Sequence, residues 1–434
     1  MTIHKKTIVS RGVVIGGEKF ALLIKSDLGR VTAITAIHRQ VFQRRIGGAR
    51  FVIEGQESEV AHLARAMTDK CLAAGIPADG QKSIIICPGG IPSSIEERAD
   101  ILREHIHDVA VVDPGVIFGP DMNNPEAVLD LVSEDMELID HVTGLSESHG
   151  GIAIDKNGYT AAGLADAITR VIDSGADLHN ATIQGFGAVG AHAARHMVIM
   201  NLDVRAVSTV QGAVVAKDGD KLDIDRFFSE WQRGGDMAVS ALAKVNAMDV
   251  LFYPDPDRLL DVKTHIFLPA ARTFVLAMPD ELTMARFENP SARDVTRFYD
   301  TTNVRLVVEG ANVPLTERAE DFLEANGVII LPDYVVNCGG LIGCYFEWVY
   351  REDMLFNPSR QAEVEEAAKR FIRTAIQRNV SELLYSRRGA REAAGQIVCR
   401  NRDCLNKMAR KFSVCYHGHD LARYVIDQTA SSVV

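Results

Sequence analysis

The stretch ATIQGFGAVGAHAARHM, residues 181–197, decides the fold of this chain. It places a Gly-x-Gly-x-x-Gly pattern directly after a short apolar strand and directly before an alanine-rich helix. The first glycine of such a loop permits the tight turn, the second lets the backbone approach a pyrophosphate, and the third allows close strand–helix packing. The helix N-terminus then binds the anion. We therefore predict a dinucleotide site, rather than a plain glycine-rich turn, at Gly185, Phe186, Gly187, Ala188, Val189 and Gly190.

The strand that follows this loop, DVRAVST at residues 203–209, lacks the acidic residue that usually binds the ribose 2′-hydroxyl of NAD. Ser208 and Thr209 stand at its end instead. The missing acid removes the usual repulsion of a 2′-phosphate, yet no arginine follows immediately to bind one. We predict that Ser208 and Thr209 contact the cofactor, which can be NAD or NADP.

Strands and helices alternate from about residue 150 onward, which is typical of a parallel sheet with crossover helices. Before it, residues 19–38 alternate apolar and polar side chains around Asp27-Leu28-Gly29, which predicts two antiparallel strands. The chain after LPDYVVNCGG is largely helical in pattern. The sequence thus predicts an α/β protein whose second domain is a Rossmann-type, doubly wound nucleotide-binding domain.

A helix is predicted between the antiparallel strands and the next buried strand. From Ser58 to Ala74 the apolar residues recur at helical spacing, with Val60, Leu63 and Met67 on one face. Gly75 and the proline that follows it are typical helix stops.

Composition limits the classes of partner. The chain has 434 residues and a formal net charge of -11, which disfavours binding to nucleic acid or to an anionic membrane. Its N-terminus, MTIHKKTIVSRG, lacks the apolar core of a signal peptide, and no apolar run reaches the roughly 18 residues of a membrane span. We expect a cytoplasmic protein that binds a small molecule.

The seven cysteines indicate reduced thiols, because their odd number and wide spacing do not form a disulfide framework. Cys399, Cys404, His417 and His419 lie near one another in sequence, but their spacing matches no zinc pattern. We predict no metal site.

Two lysines suggest chemistry in the first domain. Lys70 and Lys82 lie on either side of a Gly-Ile-Pro break that can fold them together. Two ammonium groups in a closed cleft repel each other, so one lysine can lose its proton and act as a base while the other binds a carboxylate. From composition alone, ordinary surface lysines are the favoured interpretation.

Ordered motifs decide between these interpretations. They occur as Gly47-Gly48-Ala49-Arg50, Met67-Thr68-Asp69-Lys70, Pro77-Ala78-Asp79-Gly80-Gln81-Lys82, Gly119-Pro120-Asp121-Met122, Thr160-Ala161-Ala162-Gly163, Pro269-Ala270-Ala271, Glu309-Gly310-Ala311-Asn312 and Pro332-Asp333-Tyr334-Val335-Val336-Asn337-Cys338-Gly339-Gly340. In this order and spacing the chain resembles the glutamate/leucine/phenylalanine/valine dehydrogenase family, and its first 90 residues resemble the leucine-type members most. The resemblance implies reversible, NAD(P)-dependent oxidative deamination of an L-amino acid to a 2-oxo acid and ammonia.

The resemblance also implies roles for single residues. Lys70 binds the substrate α-carboxylate, Lys82 activates the water that attacks the imino acid, and Asp121 exchanges protons with the amino group. The neighbouring Gly47, Gly48 and Met67 belong to the substrate site. Thr160, Asn312 and Asn337 contact the nicotinamide side of the cofactor or the substrate, with a helix cap and two turns as their structural alternatives.

Domain boundaries and assembly follow from the same resemblance. Residues 1–148, joined by 339–434, form a substrate-binding and oligomerisation domain. Residues 149–338 form the Rossmann domain. The protein is expected to be a homo-oligomer assembled through the first domain.

Specificity is where the chain departs from glutamate-specific members. Those place a lysine directly before the first Gly-Gly pair and a serine in the helix after the second, whereas this chain has Ile46 and Cys344. With Leu341, these residues predict an apolar side-chain pocket, in which an unpaired glutamate carboxylate would suffer a large desolvation cost.

Other readings of the site stay open. The segment Cys344-Tyr345-Phe346-Glu347-Trp348 is of the glutamate type, so a glutamate dehydrogenase that uses Arg44 or Arg45 for the side chain is one alternative. Asp79 stands where a glycine is usual, and it could stabilise the charged form of Lys82 or serve a nonstandard amino acid or amine. A catalytically silent nucleotide-binding regulator is the alternative from another class.

Overall fold

The computed structural model describes residues 7–15, 17–27, 30–38, 42–245, 250–357, 359–412 and 422–427. The chain forms two compact units. The first comprises Met1–Asn157, Leu341–Phe371 and Ile397–Val434, and the second comprises Gly158–Gly340 and Ile372–Gln396.

The first unit contains a six-stranded mixed sheet. Its elements in chain order are β1 (Thr7–Ile15), β2 (Glu18–Asp27), β3 (Arg30–His38), β4 (Arg45–Val52), α1 (Glu57–Ala74), β5 (Asp79–Ile86), α2 (Ile95–Val112), β6 (Val116–Gly119) and α3 (Glu126–Ser133). The strand order is β1-β2-β3-β5-β4-β6. β2 and β3 pair antiparallel, as the alternating residues predict, while β4 pairs parallel with both β5 and β6.

Both faces of this sheet are covered. On one face Phe51, Ile85 and Phe118 form a core with Leu102 of α2 and Leu129 of α3. The opposite face packs against α1 through a smaller apolar cluster, which consists of Phe20, Leu22, Ile34, Ala36, Val60, Ala61, Ala64 and Ile84. Side chains two positions apart on a strand share a face, so each strand contributes to both cores.

The packing of α1 differs from the predicted helical face. Gly75 ends the helix in the left-handed conformation at φ 78°, as predicted. However, Leu63 and Met67 are only half-buried, and Ala64 and Thr68 face the sheet instead. The reason is Gly80 of β5, where a Cβ atom would lie 2.0 Å from the Ala64 carbonyl oxygen. The helix approaches the strand so closely that only small side chains fit between them.

The second unit contains a seven-stranded sheet of order β10-β9-β8-β7-β11-β14-β15. Its elements and the helices that follow are α4 (Tyr159–Asp173), β7 (Asn180–Gln184), α5 (Ala188–Ile199), β8 (Asp203–Thr209), β9 (Gly212–Ala216), α6 (Ile224–Val245), β10 (Val250–Tyr253), β11 (Ile266–Pro269), β12 (Leu276–Ala277), α7 (Leu282–Glu288), β13 (Arg293–Asp294), α8 (Val295–Thr302), β14 (Leu306–Val308), α9 (Glu317–Ala325), β15 (Ile329–Leu331), α10 (Asp333–Val336), α11 (Gly339–Phe356), α12 (Arg360–Tyr385) and α13 (Ala390–Phe412).

The Rossmann-type arrangement is confirmed, with one difference. β8, β7, β11, β14 and β15 are parallel, as the alternation of strands and helices predicts. At the β8 edge, however, β9 and β10 pair antiparallel. The two-residue turn Val210-Gln211 reverses the chain before Gly212, because a crossover helix needs many more residues than two.

A cluster of four charged side chains joins residues 372–396 to the second unit, whereas the sequence assigned them to the first domain. The Arg391 guanidinium lies 2.9 Å from Glu309, 2.7 Å from Glu320 and 3.1 Å from Asp333, all through carboxylate oxygens. Burial raises the pKa of Glu309 well above its usual range, and the neighbouring Glu320 carboxylate raises it further. This cluster, the Arg391 cluster, fixes the motifs that carry Asn312 and Asn337.

Two findings concern the described ranges as a whole. None of their helices is both long and apolar enough to cross a bilayer. Cys399 and Cys404 are exposed free thiols, whereas His417 and His419 lie outside the described residues.

Candidate active site

An ion pair between Lys82 and Asp121 forms the centre of the candidate site in the first unit. The Lys82 Nζ atom lies 2.5 Å from Asp121 Oδ2, and the two side chains are 8% and 13% exposed. Lys82 is on β5, and Asp121 follows the C-terminal end of β6. β4 lies between these strands in the sheet. A buried acid and a buried amine in direct contact can pass a proton between them.

The glycine pair on β4 creates the space for this contact. A Cβ atom on Gly48 would lie 2.8 Å from Asp121 Cβ, and one on Gly47 would lie 1.8 Å from the Gln81 carbonyl oxygen. Real Cβ atoms do not come so close, so any side chain at either position would displace β5 or Asp121. The Gln81 amide also donates to the Gly47 carbonyl oxygen at 2.8 Å, which fixes the two strands side by side.

Arg50 is a site residue that the sequence analysis did not single out. Its Nε and Nη2 atoms donate to the two Asp121 carboxylate oxygens at 3.2 and 3.3 Å. Burial alone would raise the pKa of Asp121, but Lys82, Arg50 and the Met122 N–H outweigh it and lower the pKa to about 2. The sequence does contain a signal for Arg50: the two-residue period of β4 puts it on the same face as Gly48.

These contacts predict a pH dependence of stability. A carboxyl group with a pKa near 3.8 when unfolded and about 2 when folded stabilises the fold by about 2 kcal/mol above pH 5, and this contribution is lost as the pH falls through 2. We expect Asp121→Asn to lower the free energy of unfolding by this amount at pH 7 and by about half of it at pH 3. Urea unfolding followed by circular dichroism measures both values. A difference that stays constant with pH would contradict the ion-pair assignment.

Asp79 does not lie beside Lys82 to stabilise its charged form, which is one role that the sequence suggested for it. It lies three positions before Lys82 on β5, so its side chain points to the opposite face of the sheet. There the buried carboxylate accepts a hydrogen bond from the Phe42 N–H at 3.1 Å. Asp79 and Lys82 are close in sequence but lie on opposite faces of β5, because side chains alternate along a strand. The Asp79 hydrogen bond stabilises the segment before β4.

Lys70 and Met67 lie at the C-terminal end of α1 and are both half-buried. The Gly80 N–H donates to Thr68 Oγ1 at 2.7 Å, and this bond ties the end of α1 to the strand that carries Lys82. Gly80 and Lys82 share a face of β5, the face that α1 covers. The fold therefore places Lys70 and Lys82 on the same side of the sheet.

Three predicted pocket residues of the first unit are buried apolar or weakly polar side chains. Ile46, Cys344 and Leu341 are 2%, 8% and 9% exposed. Ile46 shares a face of β4 with Gly48 and is therefore directed to the same side as the Lys82–Asp121 pair. The Cys344 thiol faces the backbone of Gly119, where a Cβ atom would lie 3.7 Å from the sulfur.

The two arginines before Ile46 have different surroundings. Arg45 points to the opposite face of β4 and pairs with Asp113 at 3.3 Å. Arg44 stacks on the Trp348 ring, with its guanidinium carbon 4.9 Å from the ring centroid. Arg44 is thus the better placed of the two to reach the Ile46 side of the strand.

Glu347 is a second residue whose importance the sequence did not reveal. It is fully buried, and its carboxylate accepts hydrogen bonds from the N–H groups of Gly144, Leu145 and Ile152 and from Arg351. These bonds attach α11, which carries Cys344, to the segment that follows α3. The glutamate-type appearance of this helix therefore has a structural cause within the first unit.

The glycine loop of the second unit has the geometry of a nucleotide cradle. Gly185 has φ 94° and lies against Ala271, and a Cβ atom on Gly190 would lie 1.8 Å from the Gly185 carbonyl oxygen. At Gly187 a Cβ atom would meet nothing within 4 Å, so the backbone there is open to a ligand. Gly187 is also the N-cap of α5 and provides no side-chain cap. The first N–H groups of α5 can therefore bind a pyrophosphate.

Other residues of this loop are structural or lie in the first turn of the helix. Phe186 is completely buried, while Ala188 and Val189 begin α5. Ser208 and Thr209 are buried at the end of β8. Ser208 Oγ accepts a hydrogen bond from the Gly185 N–H at 3.1 Å.

The three remaining predicted residues come together near α10. The Asn337 amide nitrogen lies 3.3 Å from Asn312 Oδ1, and a Cβ atom on Gly339 would lie 3.1 Å from Thr160 Cα. The Asn337 Oδ1 atom is buried and accepts no hydrogen bond from the described residues. Such an atom fits the amide of a nicotinamide ring, so the residues present fit NAD(P).

Most of the chain matches one protein family. The family model for glutamate/leucine/phenylalanine/valine dehydrogenases matches residues 150–402, and the model for the dimerisation domain of these enzymes matches residues 19–137. The chain belongs to this family. This amino-acid dehydrogenase is therefore an oxidoreductase that uses NAD(P), as the sequence predicts.

Its relatives are glutamate dehydrogenases. The NADP-specific enzyme of Saccharolobus shibatae is 27% identical over 314 residues, which cover 70% of this chain and 67% of that protein. The mitochondrial enzyme of Dictyostelium discoideum is 26% identical over 394 residues, with coverage of 83% and 72%. The hetero-hexameric enzyme of Thermus thermophilus, in a leucine-bound form, shares the fold with a TM-score of 0.69 at 21% identity, covering 95% of this chain and 90% of that one.

Proposed function

We propose that this dehydrogenase oxidatively and reversibly deaminates an L-amino acid with an apolar side chain, giving the 2-oxo acid and ammonia. The observation that carries the proposal is the buried Lys82–Asp121 ion pair, which shares its side of the sheet with the apolar Ile46. The nucleotide loop and Asn337 would hold NAD(P), which would supply the acceptor for the hydride of the substrate Cα. The residues of the chain must then bind the substrate, move protons and supply an activated water.

Lys82 and Asp121 are assigned to proton transfer. Asp121 takes a proton from the substrate ammonium group, because only the neutral amine releases a hydride from Cα. Lys82, once neutral, takes a proton from the water that attacks the imino carbon. For this step Asp121 must first release the substrate's proton to water. The 2.5 Å contact then lets a proton pass from Lys82 Nζ to Asp121 Oδ2, which leaves Lys82 neutral. Arg50 keeps Asp121 oriented throughout.

Substrate and cofactor are held by the other predicted residues. Lys70 binds the α-carboxylate, and Gly47, Gly48 and Met67 shape the surroundings of the reacting carbon. In the second unit the loop 185–190 binds the pyrophosphate. Ser208 and Thr209 end the neighbouring strand β8, and Ser208 Oγ supports the loop by accepting a hydrogen bond from the Gly185 N–H. Thr160, Asn312 and Asn337 contact the nicotinamide side, where the buried Asn337 side-chain oxygen accepts no hydrogen bond from the described residues.

Glutamate is the second candidate substrate, because the named relatives are glutamate dehydrogenases. In that case Arg44, which stacks on Trp348, is the candidate cation for the side-chain carboxylate, because Arg45 pairs with Asp113 on the opposite face of β4. A catalytically silent regulator is the weaker alternative, since a binding protein has no chemical need for a buried Lys82–Asp121 pair. For assembly, we propose a homo-oligomer formed through the region that matches the dimerisation model.

The substrate proposal predicts a specificity ratio. We expect kcat/KM for leucine, valine or phenylalanine to exceed that for glutamate by about tenfold or more, whereas the apolar substrates differ modestly among themselves because each methylene contributes only about 1 to 3 kcal/mol. Ile46→Lys should raise kcat/KM for glutamate relative to leucine, because it restores a partner for the side-chain carboxylate. Initial rates with NAD and NADP measure both.

Ile46→Met is the matched control, since it changes the shape of the pocket without adding charge. It should leave the glutamate-to-leucine ratio nearly unchanged. If glutamate is the best substrate of the unmodified enzyme, the apolar pocket is wrong and Arg44 becomes the residue to replace.

A further inference from the structure

The end of β8 is where a dinucleotide-binding domain usually presents an acid to the adenosine ribose. In this chain two residues with hydroxyl side chains, Ser208 and Thr209, occupy that position, and both hydroxyls already form hydrogen bonds within the protein. Ser208 Oγ accepts from Gly185 N–H, and Thr209 Oγ1 lies 2.9 Å from Ser240 Oγ and accepts from Gln211 N–H. These hydroxyls are also nearly inaccessible, at 3% and 4% exposure.

A carboxylate reaches the same place from a different element. Asp236 lies on α6, 26 positions after Val210, and its Oδ2 atom accepts a hydrogen bond from the Val210 N–H at 3.2 Å. Val210 is the first residue after β8. The carboxylate therefore stands directly beyond the strand end, where the usual acid would be.

A break in α6 makes this placement possible. Gly234 and Gly235 leave the helical conformation, and Gly235 takes φ 58° and ψ -150°, a combination open almost only to glycine. The helix resumes with Asp236 at its new start. An uninterrupted helix would carry this side chain in another direction.

The surroundings of Asp236 suit an adenosine and leave the carboxylate available. Val210, which donates to Asp236, and Met237, which follows it in sequence, are 79% and 70% exposed. Both offer apolar surface to an adenine base. Among the described residues, Asp236 is in no ion pair, and the nearby cation Arg233 pairs with Glu230 at 2.7 Å. The carboxylate can therefore accept hydrogen bonds from ribose hydroxyls.

We propose that Asp236 is the residue that selects the cofactor, by binding the 2′-hydroxyl of the NAD ribose and repelling the 2′-phosphate of NADP. This deepens the proposed function and rests on the cofactor loop at 185–190, not on the identity of the amino acid. It makes the chain NAD-preferring, unlike its NADP-specific relative from Saccharolobus shibatae. The acid comes from α6 and not from β8, which is why a search at the strand end does not find it.

Binding of the reduced nucleotides tests this without turnover. NADH and NADPH are titrated separately into the full-length protein, without amino acid, and the fluorescence of the nucleotide gives each Kd. We expect NADH to bind about tenfold or more tightly than NADPH, and Asp236→Asn to reduce this ratio by about tenfold. Asn keeps the shape and the bond to Val210 but loses the charge. Asp225→Asn, which removes an exposed acid from the first turn of the same helix, should leave the ratio unchanged.

Several outcomes would overturn the proposal. These are equal binding of the two nucleotides to the unmodified protein, binding of neither, a ratio that Asp236→Asn leaves unchanged, or an equal change in Asp225→Asn. If the role of Asp236 is purely structural, Asp236→Asn would weaken the binding of NADH and NADPH alike and leave the ratio of their Kd values unchanged. Thermal unfolding checks each variant, and Asp236→Ser replaces Asp236→Asn if the latter does not fold. Because no amino acid is present, an error in the substrate assignment does not affect the result.

Discussion

Replacement of Lys82 by alanine is expected to lower kcat by about 10²- to 10⁴-fold while changing the Kd for NAD(P)H little. The variant loses the amine to which the proposed mechanism assigns activation of the attacking water. Arg50 still donates to both Asp121 oxygens, so the buried carboxylate keeps a cation and the first unit should remain folded. The effect is therefore expected on turnover and not on the structure.

Steady-state rates with the best amino acid, together with nucleotide titrations, measure this effect. Lys25→Met is a matched control, because Lys25 is a sheet lysine that contacts Glu104 and Asp108 at 2.7 Å, as Lys82 contacts Asp121. Lys82→Met keeps most of the side-chain volume and should be as inactive as Lys82→Ala. Turnover near that of the unmodified enzyme in either Lys82 variant would remove Lys82 from the mechanism.

Asp121→Asn is the second large effect that we expect. The amide preserves the shape of the side chain but cannot take the proton of the substrate ammonium group, so kcat should fall by about 10²-fold or more. The affinity for NAD(P)H should change far less, since the nucleotide loop is in the other unit.

The structure offers a close control for this variant. Asp113 is also buried and also pairs with an arginine, at 3.3 Å from Arg45, but on the opposite face of the sheet. Asp113→Asn should therefore alter stability more than turnover. An active Asp121→Asn enzyme would limit Asp121 to a structural partner of Arg50.

Local patterns predicted the glycine loop and most of the elements, because these depend on short stretches of sequence, whereas the roles of Lys70, Lys82 and Asp121 came from the family resemblance and remain predictions. The glycine loop was recognisable since strand, turn and helix follow one another within 17 residues. The predicted face of α1 was right at Val60 but wrong at Leu63 and Met67, because the close approach at Gly80 is set by another strand and not by the helix itself. The helical spacing of apolar residues does not show which strand a helix will pack against.

Contacts between distant positions were beyond the sequence. Arg50 and Asp121 are 71 positions apart, and their pairing depends on β4 lying beside β6. Asp236 reaches the end of β8 only because α6 breaks at two glycines. In each case the residue types are ordinary, and tertiary structure alone gives them a role.

The Arg391 cluster has a consequence for how the chain is made. Glu309, Glu320 and Asp333 are synthesised well before Arg391, and until that residue leaves the ribosome three buried acids lack their cation. Removing one partner of a buried ionic group is strongly unfavourable. We therefore expect the nucleotide-binding unit to complete its folding only after Arg391 has been synthesised, and a fragment ending at Gly340 to be less stable than the unit in the full chain. Packing of the last helices is therefore expected to be a late step in the folding of the chain.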